Sequence, residues 1–265
     1  IFLLLFLIAA RLCGGLKDGY QEKDWFLYCS YLIPQAAFAA TAYLYFSRTE
    51  ASVKDVAKKP RAIYFCVAIT LQLGLLSLLS VNGLFLKWLE KFGYTPASPA
   101  VPSMGGAKIV PALLVIAVLP ACFEELFFRG ILFRGMKKFG AVAAVLASAG
   151  LFALYHQSPA QTIYQFICGA CFALIALRSG SILPTVVSHF VNNALILILE
   201  ACGISSFSIE TTIILGVLFA IWAIYLIFFD KNIDGVVPEK REEMQTVETA
   251  KPKADVKGFV LYALT

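Results

Sequence analysis

The 265-residue chain reads as an all-α protein that crosses a membrane about eight times, and three observations carry that reading. Apolar residues make up 60% of the chain and charged ones only 15%, too few to cover the surface of a soluble domain of this length. The mean hydropathy is +0.79. The apolar residues gather in runs approaching the roughly 20 residues that span hydrocarbon, and the runs lack the strict alternation of a barrel. Backbone in lipid must satisfy its own hydrogen bonds, so the runs are helices.

The runs lie at about 1–16, 25–47, 62–86, 109–138, 141–156, 160–177, 182–199 and 208–229. The first reads as incomplete, because Ile1 already stands inside it. The fifth is short, bounded by Gly140 and by Ser158-Pro159, and is expected not to cross fully. Pro96, Pro99, Pro102 and Gly105-Gly106 mark 87–108 as a loop. A transmembrane domain is thus expected over 1–229, with a polar, flexible tail over 230–265. The net charge of +5 is modest, and basic residues avoid the apolar runs without clustering among aromatics, so nucleic acid is not an expected partner. Cys168 and Cys171 form a CxxC inside an apolar run, with no strand and no second pair nearby. They read as small buried side chains rather than a redox or metal motif.

Basic residues set the orientation. If the runs alternate, fifteen Lys and Arg fall on one side, among them Lys58, Lys137, Lys138, Arg178 and those of the tail, against six on the other. The larger set and the tail are expected in the cytoplasm, and a prokaryotic plasma membrane is the expected location.

The fourth run contains the sequence FEELFFRG, in which Glu124, Glu125 and Arg129 fall within six residues of a spanning helix. Ionised groups there cost several kcal/mol on insertion scales and ask for a reason. Glu125 and Arg129 are four apart on one face and can neutralise one another. Glu124 points about 100° away and needs a partner from another helix. The chain's two histidines are His156, which ends the fifth run, and His189, in the seventh with Asn193 four residues on. At 1.5 Å per residue from the cytoplasmic ends, Glu124 lies about 21 Å deep, His156 about 24 Å, His189 about 16 Å and Asn193 about 22 Å. Four polar side chains on three helices thus share one slab. A Glu and Arg pair can simply fix a bundle, and a membrane His is often only an interhelical partner. Two imidazoles, a spare carboxylate and an amide at one depth exceed that need. Asn192, about 100° round from Asn193, reads as the lesser candidate; Ser188, Tyr155 and Gln157 read as local hydrogen bonders, and Glu200 and Glu210 as solvent-exposed.

A carboxylate and a neutral imidazole converging on one water form a general base, while an amide and a second imidazole N–H suit an oxyanion. That set fits amide hydrolysis without a protein nucleophile. The three motifs, Glu124-Glu125-x-x-x-Arg129, Phe152-x-x-x-His156 and His189-x-x-x-Asn193, stand in the order seen in the CAAX protease and bacteriocin-processing family of intramembrane endopeptidases, and the chain resembles that family over about 109–200. The family includes the prenyl-protein endopeptidases. The resemblance implies an eight-helix bundle open to the cytoplasm, a water activated by Glu124 and His156, an oxyanion held by His189 and Asn193, and support from Glu125 and Arg129, with Phe152 as packing. It also implies a membrane-bound protein or lipidated peptide as substrate, whether a prenylated CAAX end, a bacteriocin leader or another membrane protein.

Glu124, His156 and His189 are also the carboxylate and two imidazoles that a catalytic zinc takes. Binding a metal would remove the His189 N–H from the oxyanion, and with Glu125 engaged by Arg129 no carboxylate is evident to orient an imidazole. A metal-free site is therefore expected, with Zn2+ as the alternative. Two other classes of function compete: a proton-coupled carrier, which needs polar groups above and below the slab, and a non-catalytic scaffold or immunity protein that keeps the motifs. Single cysteines at Lys58 or Lys138 should react with impermeant reagents from the cytoplasmic side alone, and one at Ser98 from the other side alone. Labelling of Lys58 and Ser98 from the same face would overturn the helix count.

Overall fold

The computed structural model of the chain describes residues 19–95, 101–204 and 206–235. Seven of the eight expected runs lie there, and all seven are helical; the first run falls outside the described residues. A 25-residue helix, α1 (Asp24–Arg48), is followed by a single turn, α2 (Val53–Val56). Helices α3 (Ile63–Leu75) and α4 (Leu78–Glu90) form one span interrupted by a turn at Leu76-Ser77, where the Ser77 hydroxyl donates to the Gly74 carbonyl at 2.8 Å. The longest helix, α5 (Gly106–Phe139), carries the Glu pair; α6 (Ala141–Tyr155) ends at His156. Helices α7 (Thr162–Ser179), α8 (Leu183–Ala201) and α9 (Ile209–Ile224) complete the bundle. No strand occurs among the described residues.

Five helical stretches are long and apolar enough to cross a membrane: 63–90, 106–139, 159–179, 183–201 and 209–229. Helix α6, at 15 residues, is the short apolar element its bounding glycine and proline foretold. Helix α1 has the length but not the apolarity, because tyrosines and Gln35 interrupt its run. The loop expected over 87–108 is shorter than its prolines implied. Helix α4 continues to Glu90 through residues with ordinary helix propensity, and α5 begins at Gly106.

Helix α8 sits between α3 and α5, α7 packs on α6, and α1 lies along α5. Small residues set the closest crossings, as membrane packing without a hydrophobic drive between helices requires. A Cβ on Gly169 of α7 would stand 3.1 Å from the Ala149 Cα on α6, and one on Gly74 of α3 would fall 2.5 Å from the Phe219 backbone nitrogen on α9. Phe38, Phe128, Phe152, Phe172, Cys168 and Cys171 pack in the main core, so the CxxC pair is buried apolar material as expected. The outer side of α9 is lined by exposed Ile213, Ile214, Val217 and Ile221, the surface of a helix that meets lipid.

The polar segment expected to begin a loose tail at residue 230 is fastened to the bundle through residue 235. Asp230 and Asn232 are buried and both bond the Tyr64 hydroxyl, at 2.8 and 3.0 Å. Arg178 donates to the carbonyls of Leu226, Ile227 and Asn232, the Asp234 N–H donates to the Leu177 carbonyl at 2.7 Å, and Lys137 pairs with Asp234. Basic residues that set topology by sequence thus also clasp the end of the last helix. Residues 236–265 lie outside the described part. Next to this corner, the α2 turn is closed by the Asp55 carboxylate, which accepts from the Ser52 N–H and hydroxyl at 2.8 and 2.9 Å. Those bonds, the backbone one first, hold the Asp55 carboxyl below its ordinary range. The Gly74 contact yields a direct test: Gly74→Ala forces α3 from α9 and should lower stability by about 1–3 kcal/mol in a denaturation assay in detergent. An unchanged transition would mean that the crossing relaxes freely.

Candidate active site

Helix α5 is not α-helical throughout. Two π stretches, Leu113–Val118 and Leu126–Phe133, flank the turn Leu119–Glu125 that bears the two glutamates. Such stretches are rare and gather at functional sites. Pro120 accounts for part of this. It has no N–H, so the Ile116 carbonyl, four residues before it, loses its helical donor.

Glu125 is fully buried, and its Oε1 accepts two bonds: Arg129 Nη1 donates at 2.7 Å and His189 Nδ1 at 2.9 Å. The carboxylate expected to serve Arg129 alone therefore also orients an imidazole. The physical reason is that one carboxylate oxygen has two lone pairs, so pairing along its own helix leaves it free to accept across to α8. Arg129 is itself 1% exposed. Its Nη2 donates to the Gly169 carbonyl at 2.9 Å, and its guanidinium carbon lies 4.5 Å from the centroid of the Phe152 ring and 5.2 Å from that of Phe172. An ion pair so desolvated is held by these added contacts as much as by its own attraction.

Glu124, 4% exposed, points elsewhere, as its 100° offset requires. Its Oε1 accepts from Gln35 Nε2 of α1 at 2.9 Å, and its Oε2 stands 3.9 Å from His189 Nε2. The His189 ring stacks on Phe172, with centroids 5.3 Å apart and 23° between planes, and abuts the Phe152 ring edge-on at 5.7 Å. His156, half-buried at the C-terminus of α6, donates from Nδ1 to the Phe152 carbonyl at 2.8 Å, since a carbonyl only accepts. Its ring lies 4.8 Å from that of Phe152. Both imidazoles therefore border one phenyl ring. Among the described residues, His156 makes no ion-pair contact with either glutamate.

Asn193 Nδ2 donates to the Ile116 carbonyl at 3.1 Å, the group that Pro120 leaves without its helical donor. Its Oδ1 accepts from Asn192 Nδ2 at 2.9 Å. The Asn192 oxygen in turn accepts from Gln72 Nε2 and from the Tyr164 hydroxyl, each at 2.7 Å. Asn192, the lesser candidate by helical phase, is thus the residue that fixes Asn193. Ser188 is not a local bonder: its hydroxyl donates to the Ala68 carbonyl of α3 at 3.1 Å, 120 residues away. Glu200 and Glu210 are exposed, as expected. Sequence reasoning missed Gln35, Gln72 and Tyr164. Depth would have found Gln35, because 13 residues from Arg48 at 1.5 Å each put it about 20 Å deep, in the same slab.

The donor types suit zinc, and each imidazole has its Nδ1 tied down as a metal-binding ring requires. Yet among the described residues no three His, Cys, Asp or Glu side chains come close enough to share one ion.

An all-helical membrane bundle with buried acids, imidazoles and amides from four helices is the class that fold and site define. Residues 106–195, which hold all three motifs, match the family described as type II CAAX prenyl endopeptidase Rce1-like. No curated protein and no solved structure matches the chain.

The shared oxygen of Glu125 makes its removal informative. Glu125→Ala leaves Arg129 buried and unpaired, at a cost of about 3–5 kcal/mol. Adding Arg129→Met should restore part of the thermal stability but no activity, because His189 still lacks its Nδ1 partner. Additive stability changes in the double-mutant cycle would refute the pairing.

Proposed function

We propose that the protein hydrolyses a peptide bond in a membrane-associated or prenylated, CAAX-type substrate, using a water activated by Glu124 and His156 and an oxyanion site formed by His189 and Asn193. The observation that carries this reading is the polarity of the two imidazoles. With Nδ1–H given to the Phe152 carbonyl, neutral His156 keeps Nε2 as an acceptor, the form a general base needs. His189 gives its Nδ1–H to the Glu125 carboxylate, and its Nε2 faces Glu124. It donates from Nε2 only when it is an imidazolium, and two carboxylates stand ready to balance that charge.

The reaction then runs as follows. A water held between the Glu124 carboxylate and His156 Nε2 passes one proton to Glu124 and keeps the other hydrogen on His156, and its oxygen bonds to the scissile carbonyl carbon. The carbonyl oxygen becomes an oxyanion that accepts from His189 Nε2–H and from the second N–H of Asn193 Nδ2, the first being committed to Ile116. The proton passes to the amide nitrogen, the carbon–nitrogen bond breaks, and a carboxylate and an amine leave. Phe152, Phe128 and Phe172 keep the chamber apolar, which strengthens each of these bonds. On this reading the site opens to the cytoplasm, the side that the basic loops assign, and cytoplasm-facing tails of membrane-anchored proteins are its substrates.

Purified enzyme in detergent, offered a prenylated C-terminal peptide and its unprenylated counterpart with products identified by mass, tests the proposal. Glu124→Gln and His156→Ala should each lose at least about a hundredfold in turnover while inserting normally. Activity above a tenth of wild type in both would reject the assignment. Activity should also survive prolonged chelation. Stoichiometric zinc, with activity lost to the chelator and restored by zinc alone, would replace the metal-free chemistry with a metal-assisted one.

A further inference from the structure

Gln35 lies outside all three motifs, on the long helix that is too polar to count among the five apolar spans. It is 4% exposed and sits near the middle of α1, one residue after Pro34. An amide at that depth needs a reason. Interhelical adhesion is the ordinary one, and an adhesive amide satisfies both its ends. Gln35 does not. Its Nε2 donates to Glu124 Oε1 at 2.9 Å, while its own Oε1 is buried without a partner among the described residues.

We infer that Gln35 is a positioning residue for Glu124: its N–H holds Oε1 of the carboxylate and leaves Oε2 to take the proton of the attacking water, while its unpartnered amide oxygen accepts from a second water lodged beside the carboxylate. The inference rests on the proposed role of Glu124 as base. A donor to a carboxylate favours the ionised form, which is the form a base must hold before it acts. Amide oxygen and nitrogen share one carbon, so a group that accepts from Gln35 Nε2 stands beside any donor bound at Gln35 Oε1. Leucine would fill the same space and provide neither contact. The charged and titratable groups around Glu124 are Glu125 and Arg129 on its own helix, His189 on α8, and Tyr155 on α6. None of these is altered by a change at Gln35.

Two measurements on the full-length enzyme in detergent test this, each on Gln35→Leu, Gln35→Glu and, as reference, Glu124→Gln. The first is the pH dependence of kcat and KM on a farnesylated C-terminal peptide. The second needs no turnover: carbodiimide labelling of Glu124 against pH, read by mass spectrometry, reports where the carboxyl protonates. Gln35→Leu should lower kcat about tenfold or more with KM within about twofold, and should move both the acidic limb of kcat/KM and the labelling midpoint upward by about half a pH unit or more. Gln35→Glu, which keeps the shape but donates only when protonated, should be active at the acidic end and fall away as pH rises. If Gln35→Leu does not fold, the Gln35→Glu profile decides, and a profile like wild type overturns the inference. A Gln35→Leu enzyme with unmoved labelling and kcat within twofold of wild type also overturns it, as does a loss of kcat that only tracks a lower melting temperature. The two levels fail separately. An active Glu124→Gln removes the base assignment and this inference with it, whereas an inactive Glu124→Gln beside a normal Gln35→Leu removes this inference alone.

Discussion

One carboxylate oxygen, Oε1 of Glu125, ties the membrane core together. It joins a cation on its own helix to an imidazole on α8, and the cation reaches on to the Gly169 carbonyl of α7. Three helices are therefore fixed by groups that hydrocarbon could not hold singly, because each would be an uncompensated charge or an unmet donor in a low dielectric. The aromatic rings that close over Arg129 also press on His189 and His156. Packing and polarity are not separate layers here. Phe152 sets the ring positions, and Glu125 sets the rotation of His189.

The irregular helix α5 is what lets this cluster form. A regular α-helix would give every carbonyl before Pro120 a backbone donor except the one facing the proline, and would carry its side chains forward at a constant 100°. The π stretches on either side change that phase locally, and the proline leaves the Ile116 carbonyl for Asn193 to occupy. The amide proposed for the oxyanion is thus aimed by a backbone defect on one side and by the Asn192, Gln72 and Tyr164 chain on the other. The irregular backbone of α5 and the placement of Asn193 on α8 are two ends of the same set of bonds.

The spans, the Glu125–Arg129 pair and the common depth of the three motifs were legible in the sequence because each is one-dimensional: hydropathy, a spacing of four, and a rise per residue. What crosses between helices was not. Nothing along the chain says that Glu125 accepts from His189, since Arg129 alone satisfies it along its own helix, or that Gln35 of a distant run meets Glu124. Asn192 was underrated for a related reason: helical phase placed it off the Asn193 face, but not against Gln72 of α3. The docking of 230–235 was hidden because a polar segment reads as solvated unless its partners, here Tyr64, Leu177 and Arg178, are seen around it. Composition speaks of a segment's own preference, and burial is decided by the surface it meets.

Charge counting gives the cluster its final constraint. Glu124, Glu125, Arg129 and His189 are all buried, so their sum must stay near zero. With Glu125 and Arg129 ionised and paired, two arrangements of the other pair are neutral: both charged, or both neutral with the proton on Glu124. They differ by one proton over the 3.9 Å between His189 Nε2 and Glu124 Oε2. Only the charged arrangement presents a free base and an N–H donor together, which is what attack on a carbonyl requires. In the proposed reaction water passes its proton to Glu124, and the new oxyanion restores the lost negative charge beside the imidazolium. The cluster stays neutral through the step, and a buried site can carry out a charge-forming reaction without drawing ions from solvent.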